Sequence, residues 1–260
     1  MMLRSILFAI TFYIATALFL VLGSWLLLAP RAWAMEGLRL HGLASLALLR
    51  WIVGTRIEVR GRENLPEPPF LVAAKHQSAW DTFALVPIFR DPAIVLKEEL
   101  KWIPLYGWFC QKFEHVLVRR ERAAVALKSM VGDARDRAAQ DREVLIFPEG
   151  TRRAPGAAPD YKPGLTALYE GLELPCVPLA LNSGCYWPRR RLARYPGTIV
   201  VELLPPIPAG LPRAEFRARV ERELESACER LLVEAASGPA PSPIAVAALA
   251  EREPTSAATS

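Results

Sequence analysis

Val144-Leu145-Ile146-Phe147-Pro148-Glu149-Gly150-Thr151-Arg152 passes from a short apolar run directly into a turn that carries a carboxylate, a hydroxyl and a guanidinium. An apolar run without alternation, bounded by turn residues, reads as a strand buried on both faces. A buried strand that ends on three such groups implies a ligand at its end. Similar β-rich runs occur at residues 57–59, 70–74, 93–96, 116–118, 177–181 and 198–203. Between them lie segments that read as helices, over 80–89, 122–140 and 162–171, with an amphipathic, charge-laced helix over 213–236. Short strands alternating with helices predict an α/β fold, a mostly parallel central sheet flanked by helices.

In an open α/β sheet, ligands sit outside the carboxyl ends of the strands. Here the residues that follow the strands are Lys75-His76-Gln77-Ser78, Lys97, Arg119-Arg120, the turn after Phe147, and Asn182-Ser183-Gly184. Each basic residue alone reads as a solvated loop charge, but their repetition predicts a cationic rim. Lys97, Arg120 and Arg152 would form a phosphate clamp there, the guanidinium groups binding in bidentate fashion and the ammonium acting as a point charge.

His76-Gln77-Ser78-Ala79-Trp80-Asp81 lies between a strand and a helix. Ser78 and Asp81 have the spacing of a capping box, which accounts for both by helix initiation and leaves His76 unexplained. The alternative makes His76 a general base whose second ring nitrogen donates to Asp81, fixing the tautomer and stabilising the imidazolium that forms. The positive end of the following helix would keep the resting imidazole neutral. His115, at the entrance of an apolar strand, reads as structural. No G-x-S-x-G elbow, HExxH, Walker loop or dinucleotide fingerprint occurs, so the base is expected to activate a bound hydroxyl rather than a serine, with an already activated thioester as acyl source. No cofactor and no metal is expected.

The 260 residues are 52% hydrophobic, with net charge +5 and an isoelectric point near 9.2, which indicates a membrane and anionic partners. The four scattered cysteines read as reduced and structural. Residues 5–29 carry no charge and as a helix are long enough to cross a bilayer. The rival reading is a signal peptide ending at Ala32-Trp33-Ala34, but the apolar run exceeds the usual signal core. Arg31, Arg39, Arg50 and Arg56 follow the run, placing the remainder of the chain in the cytoplasm. Residues 38–53 read equally as an interfacial or a core helix, with His41 an interface residue. The expected organisation is membrane-anchoring helices over 1–54, a catalytic α/β domain over 55–236 and a disordered tail over 237–260.

Taken together, these motifs resemble the PlsC-type 1-acylglycerol-3-phosphate acyltransferases. The family's Asn-His-x-x-x-x-Asp block is similar to Lys75 through Asp81, with Lys75 in place of the commoner Asn. Its second block resembles Tyr106-Gly107-Trp108 through Arg119-Arg120, Arg120 being the better match to the acceptor-binding arginine. Phe147 through Arg152 match the third block in full, Val177-Pro178-Leu179-Ala180 resemble the fourth, and Leu96-Lys97-Glu98-Glu99-Leu100 resemble the stretch between the first two. The resemblance covers roughly residues 55–210. It implies transfer of a fatty acyl group from acyl-CoA or acyl carrier protein to the free hydroxyl of lysophosphatidic acid, giving phosphatidic acid. In that scheme His76 is the base and Asp81 its partner, while Lys97, Arg120 and Arg152 hold the phosphate. Gly150 allows close backbone approach, Thr151 donates a hydrogen bond, and Glu149 orients a guanidinium or an acceptor hydroxyl. Alternatives are another lysolipid acceptor such as lyso-ornithine lipid, a membrane-bound thioesterase or lysolipid hydrolase, and a non-catalytic binder of anionic lipid. A nucleic-acid partner is not expected. The expected location is the inner membrane, with the catalytic domain on the cytoplasmic face.

Overall fold

The computed structural model describes residues 1–118 and 123–252. Seven strands, β1 (Thr55–Arg60), β2 (Leu71–Ala74), β3 (Ala93–Lys97), β4 (Val116–Val118), β5 (Val144–Ile146), β6 (Cys176–Leu181) and β7 (Gly197–Leu203), form one sheet in the order β1-β7-β6-β2-β5-β3-β4. Every expected strand is present, with ends displaced by no more than two residues. Strands β2 to β6 all run the same way; β7 is antiparallel to β6, and β1 is parallel to β7. The fold is therefore α/β, with a mostly parallel sheet flanked by helices. The apolar runs lack alternation because both faces are covered. Val72, Ala74, Leu145 and Leu179 face one core with Phe8, Leu49, Trp80 and Phe83. Leu71, Ala73, Val144 and Ile146 face the other, with Met130, Leu165 and the helix residues Phe216, Val220 and Leu224.

Helix α1 (Met2–Leu22) is the one described helix long and apolar enough to cross a membrane. It ends at Gly23, earlier than the uncharged run, and a 3-10 turn over Ser24–Leu27 follows. One stripe of α1 lies along the domain at helical spacing. Phe8 is buried with its ring edge-on to Trp187 at 5.2 Å, Phe12 lies 5.4 Å from Phe83, and Thr16 hydrogen-bonds His41 at 3.0 Å. The other stripe exposes Leu3, Leu7, Ile10 and Ile14. Helix α2 (Arg31–Leu48) continues through a π turn to Val53, where Gly54, at φ 91°, stops it. Leu49 and Val53 enter the core, and Arg31 grips Asp91 through two bonds of 2.8 and 2.6 Å. The end of the 38–53 stretch is thus a core element, and His41 packs between α1 and α2 against Thr16 and Phe19.

Two expectations about helices are corrected. The helix expected over 80–89 is only α3 (Asp81–Ala84) followed by a 3-10 turn over Val86–Ile88, because Pro87 has no N–H to continue an α ladder. Beyond it lie α4 (Tyr106–Lys112), α5 (Ala123–Ala138), α6 (Gly164–Leu172), α7 (Ser183–Tyr186) and α8 (Arg213–Ser237). The tail expected to be disordered from residue 237 instead forms α9 (Pro243–Ala250). Ser242 caps it, accepting from the Ala245 N–H at 3.3 Å and donating to the Cys185 carbonyl at 2.7 Å, and Ala245 is fully buried. Proline at the first helical position and a run of alanines are good helix-starting and helix-forming residues, a signal that the low-complexity composition obscured. Residues 253–260 lie outside the described residues.

Candidate active site

At the carboxyl end of β2 the chain turns through His76 into α3. Asp81 is fully buried and its carboxylate accepts four hydrogen bonds. Oδ2 receives them from the Gln77 N–H (2.8 Å) and Ser78 N–H (2.9 Å) and is 2.8 Å from His76 Nδ1; Oδ1 receives the Ser183 hydroxyl at 2.5 Å. The bonds from Gln77 and Ser78 N–H let the same carboxylate hold the turn that leads into α3 and orient the imidazole, although the helix itself begins only at Asp81, with Trp80 as its N-cap. With Nδ1–H donated to Asp81, Nε2 carries the lone pair. Ser183 comes from the start of α7, behind β6, where Gly184 N–H also donates to Gln77 Oε1 at 3.0 Å. The two strand ends are therefore tied together around Asp81.

The turn after β5 closes over the other side of His76. Phe147 stacks on the imidazole with ring centroids 4.0 Å apart, and Arg153 N–H donates to the His76 carbonyl at 2.8 Å. Gly150 sits at φ 60°, in the left-handed region, and its N–H donates to the Phe147 carbonyl at 2.9 Å. Substitution Gly150→Ala is expected to cost about 1–2 kcal/mol of stability through backbone strain alone, read by urea unfolding. Arg152 is half-buried, and no hydrogen bond or ion pair of its side chain is found among the described residues; its carbonyl is held by Arg189 Nη1 at 2.8 Å. Strands β2, β5 and β3 are neighbours in register, so Lys75, Pro148 and Lys97 stand level at the rim. At about 4.8 Å per strand, the exposed Lys97 lies roughly 10 Å along the rim from the end of β2.

Lys75 and Glu149 point the other way, into the protein. Lys75 Nζ lies 2.9 Å from Glu149 Oε1 and 2.5 Å from Glu225 Oε1 on α8, with the two side chains of the inner pair only 3% and 1% exposed. Tyr161 O–H completes the cluster by donating to Glu225 at 2.8 Å. Burial disfavours the Lys75 ammonium, yet the two carboxylates outweigh it and hold its pKa above the ordinary value. Burial pushes Glu149 up and the nearby Glu225 carboxylate adds to it, against the opposing pull of the Lys75 ammonium. Glu149 thus belongs to a buried ion pair with Lys75, and the same Oε1 lies 4.0 Å from the Arg153 guanidinium, one of the two partners expected for it.

Beside this site, between α1, α2, α4 and β3, lies a cavity of about 490 Å³ with a largely apolar wall that includes Phe19, Leu38 and Phe109. Thr82 and Phe83, directly after Asp81, and Leu96, directly before Lys97, also line it. His115 reaches the same cavity but serves the fold: its Nδ1 accepts from the Ile94 N–H at 3.2 Å, and burial pushes its pKa down to about 3.

A family model described as Acyltransferase matches residues 56–182. A 1-acyl-sn-glycerol-3-phosphate acyltransferase of Pseudomonas aeruginosa is 41% identical over 158 residues, 61% of this chain and 62% of that protein. The mouse 1-acyl-sn-glycerol-3-phosphate acyltransferase alpha is 30% identical over 208 residues, 77% of this chain and 71% of that one. The chain belongs to the 1-acyl-sn-glycerol-3-phosphate acyltransferase family. The aligned stretch spans about three fifths of the Pseudomonas relative's length. The crystal structure of the lysophosphatidic acid acyltransferase PlsC from Thermotoga maritima has the same fold, with a TM-score of 0.75 at 23% identity, covering 89% of this chain and 98% of that one.

Of the residues singled out in the sequence, His76 and Asp81 are in contact, the turn carrying Gly150, Thr151 and Arg152 folds against them, and Lys97 stands on the same rim. Arg120 and its neighbour Arg119 lie outside the described residues. Sequence reasoning missed Ser183 as a partner of Asp81, although Asn182-Ser183-Gly184 already stood among the polar strand ends. It also missed Phe147 as the surface on which His76 rests, and it had no signal for Glu225, one carboxylate among many on a charge-laced helix.

Proposed function

We propose that this acyltransferase moves a fatty acyl group from an acyl thioester to the free hydroxyl of 1-acylglycerol-3-phosphate, giving phosphatidic acid. The observation that carries the reading is His76, oriented by Asp81 through Nδ1 and stacked on the turn that bears Arg152, beside an apolar cavity. His76 Nε2 takes the proton of the acceptor hydroxyl as its oxygen attacks the thioester carbonyl. The tetrahedral intermediate collapses to the new ester with loss of thiolate, and the imidazolium returns its proton to the sulfur. Asp81 stabilises the imidazolium between the two transfers. Arg152, Lys97 and Arg120 bind the acceptor phosphate, Thr151 donates to it, and the cavity takes an acyl chain. Coenzyme A and acyl carrier protein both present the required thioester. The exposed stripe of α1 seats the protein in the inner membrane, with the catalytic domain on the cytoplasmic face.

The test supplies purified protein with an acyl thioester and either lysophosphatidic acid or monoacylglycerol. Phosphatidic acid should form in strong preference. Hydrogen bonds to charged groups contribute roughly 1.5–3 kcal/mol, so Arg152→Ala is expected to lower kcat/KM for lysophosphatidic acid about ten- to a hundredfold and to spare monoacylglycerol. An equal loss on both acceptors would remove Arg152 from the phosphate site, and release of free acid without acceptor would point to a thioesterase. Deleting residues 1–54 should weaken membrane sedimentation strongly and promote aggregation, since it removes α1 and uncovers the core around Trp187 and Phe83.

A further inference from the structure

The chain between α7 and β7 carries Arg189-Arg190-Arg191-Leu192-Ala193-Arg194, with no acidic residue from Trp187 to Pro196. Acyl transfer as derived above does not use it. Its root is fixed to the first turns of α1. Arg194 N–H donates to Ser5 Oγ at 2.9 Å, and the Trp187 ring stands edge-on to Phe8 and Phe12 at 5.2 and 5.6 Å. The Arg194 guanidinium lies over the Trp187 ring at 4.3 Å, which holds this end of the loop in place. At the tip, Arg190 and Arg191 are exposed, and neither side chain has a hydrogen-bond or ion-pair partner among the described residues. Leu192 beside them is 50% exposed, and on the adjacent helix Leu3 is 79% and Leu7 50% exposed. Arg189 points inward and holds the Arg152 carbonyl.

One short loop therefore joins an exposed apolar helix to the turn that carries Arg152, and between the two it presents two unpaired guanidinium groups and a leucine. Apolar side chains that enter the acyl boundary, flanked by arginines that reach the headgroups, are complementary to an anionic bilayer. We propose that residues 189–194 are a second membrane contact, which binds anionic phospholipid headgroups beside the active site. The proposal rests on the reading of α1 as the membrane seat and adds charge selectivity to it. The surface so favoured is chemically like the anionic acceptor, so the loop would hold the enzyme where that acceptor is enriched.

The experiment is sedimentation of the full-length protein with vesicles of phosphatidylcholine alone or mixed with phosphatidylglycerol. Wild type should bind both and prefer the anionic vesicles, with the preference fading at high salt. The double variant Arg190→Gln, Arg191→Gln is expected to bind anionic vesicles roughly thirtyfold more weakly, at about 1 kcal/mol per basic residue near the surface. It should bind neutral vesicles as wild type does, and turn over detergent-dispersed substrate unchanged. The control Arg217→Gln, Arg222→Gln neutralises α8 where Phe216 and Val220 cover the opposite face of the sheet, and should bind as wild type. If the loop variant kept its preference for anionic vesicles, or the control lost as much, the loop assignment would fall while the α1 reading stood. Wild type that bound no vesicles would overturn the α1 reading and the loop proposal with it.

Discussion

Replacing His76 by alanine is expected to lower kcat by roughly 10²–10⁴-fold, the usual contribution of a positioned general base, with KM for either substrate nearly unchanged. Proton transfer occurs only in the transition state, and the phosphate contacts assigned to Arg152 and Lys97 do not pass through the imidazole. The fold should survive. His76 is partly exposed, and the hydrogen bonds that Asp81 receives from Gln77, Ser78 and Ser183 remain without it. A His76→Ala enzyme with near-normal turnover would rule out the base. An unfolded one would be uninformative, so the companion variant is His76→Gln, which keeps a side chain against Phe147 but has no basic nitrogen and should be equally slow.

Lys75→Met should be the most damaging single change to stability within the site. Breaking a buried ion pair by removing one partner strands the other, at a cost of about 3–5 kcal/mol. Here Glu149 would lose its close cation, while Glu225, 26% exposed, is partly solvated and suffers less. For a chain of this size the loss corresponds to a fall in Tm of roughly 6–20 °C. Adding Glu149→Gln to Lys75→Met should restore part of it, because the stranded carboxylate is removed; the coupling read from the two single variants and the double measures the pair. A Tm within a degree or two of wild type for Lys75→Met would show that water solvates the cluster and that the pair contributes nothing. Lys75 precedes His76 and Glu149 stands two residues after Phe147, so the same bond joins the base loop to the turn it stacks on. Lys75→Met should therefore also lower kcat more than it raises KM at temperatures where the variant is folded.

The strands were legible in the sequence because a strand covered on both faces must be apolar throughout, and each was bounded by turn residues. The rim was legible for a related reason. Polar residues placed directly after buried strands gather at one end of a parallel sheet, and β2 to β6 do run the same way, although Lys75 and Glu149 turn inward from that end to pair with each other. His76 and Asp81 could be paired on the page because five residues across a strand-to-helix turn bring them within reach; the left-handed conformation of Gly150 emerged only in the folded turn. The tail helix α9 was hidden by composition, and the shortness of α3 by the weight placed on its apolar pattern over Pro87.

The residue types and their order along the chain determined the α/β class, the polar strand ends, the pairing of His76 with Asp81 and the apolar amino-terminal helix, since each follows from local chemistry and short-range spacing. Tertiary structure alone decided the partners separated in sequence. Ser183 meets Asp81 across 102 residues and Glu225 meets Lys75 across 150, and no local pattern records such contacts. It also decided the direction of each side chain: Glu149, two residues from the aromatic ring under His76, turns into the core because Lys75 offers its charge a partner there. Likewise it set the bed of α1, a helix of spanning length held lengthwise against Trp187, Phe83 and His41 by the aromatic side chains of one stripe.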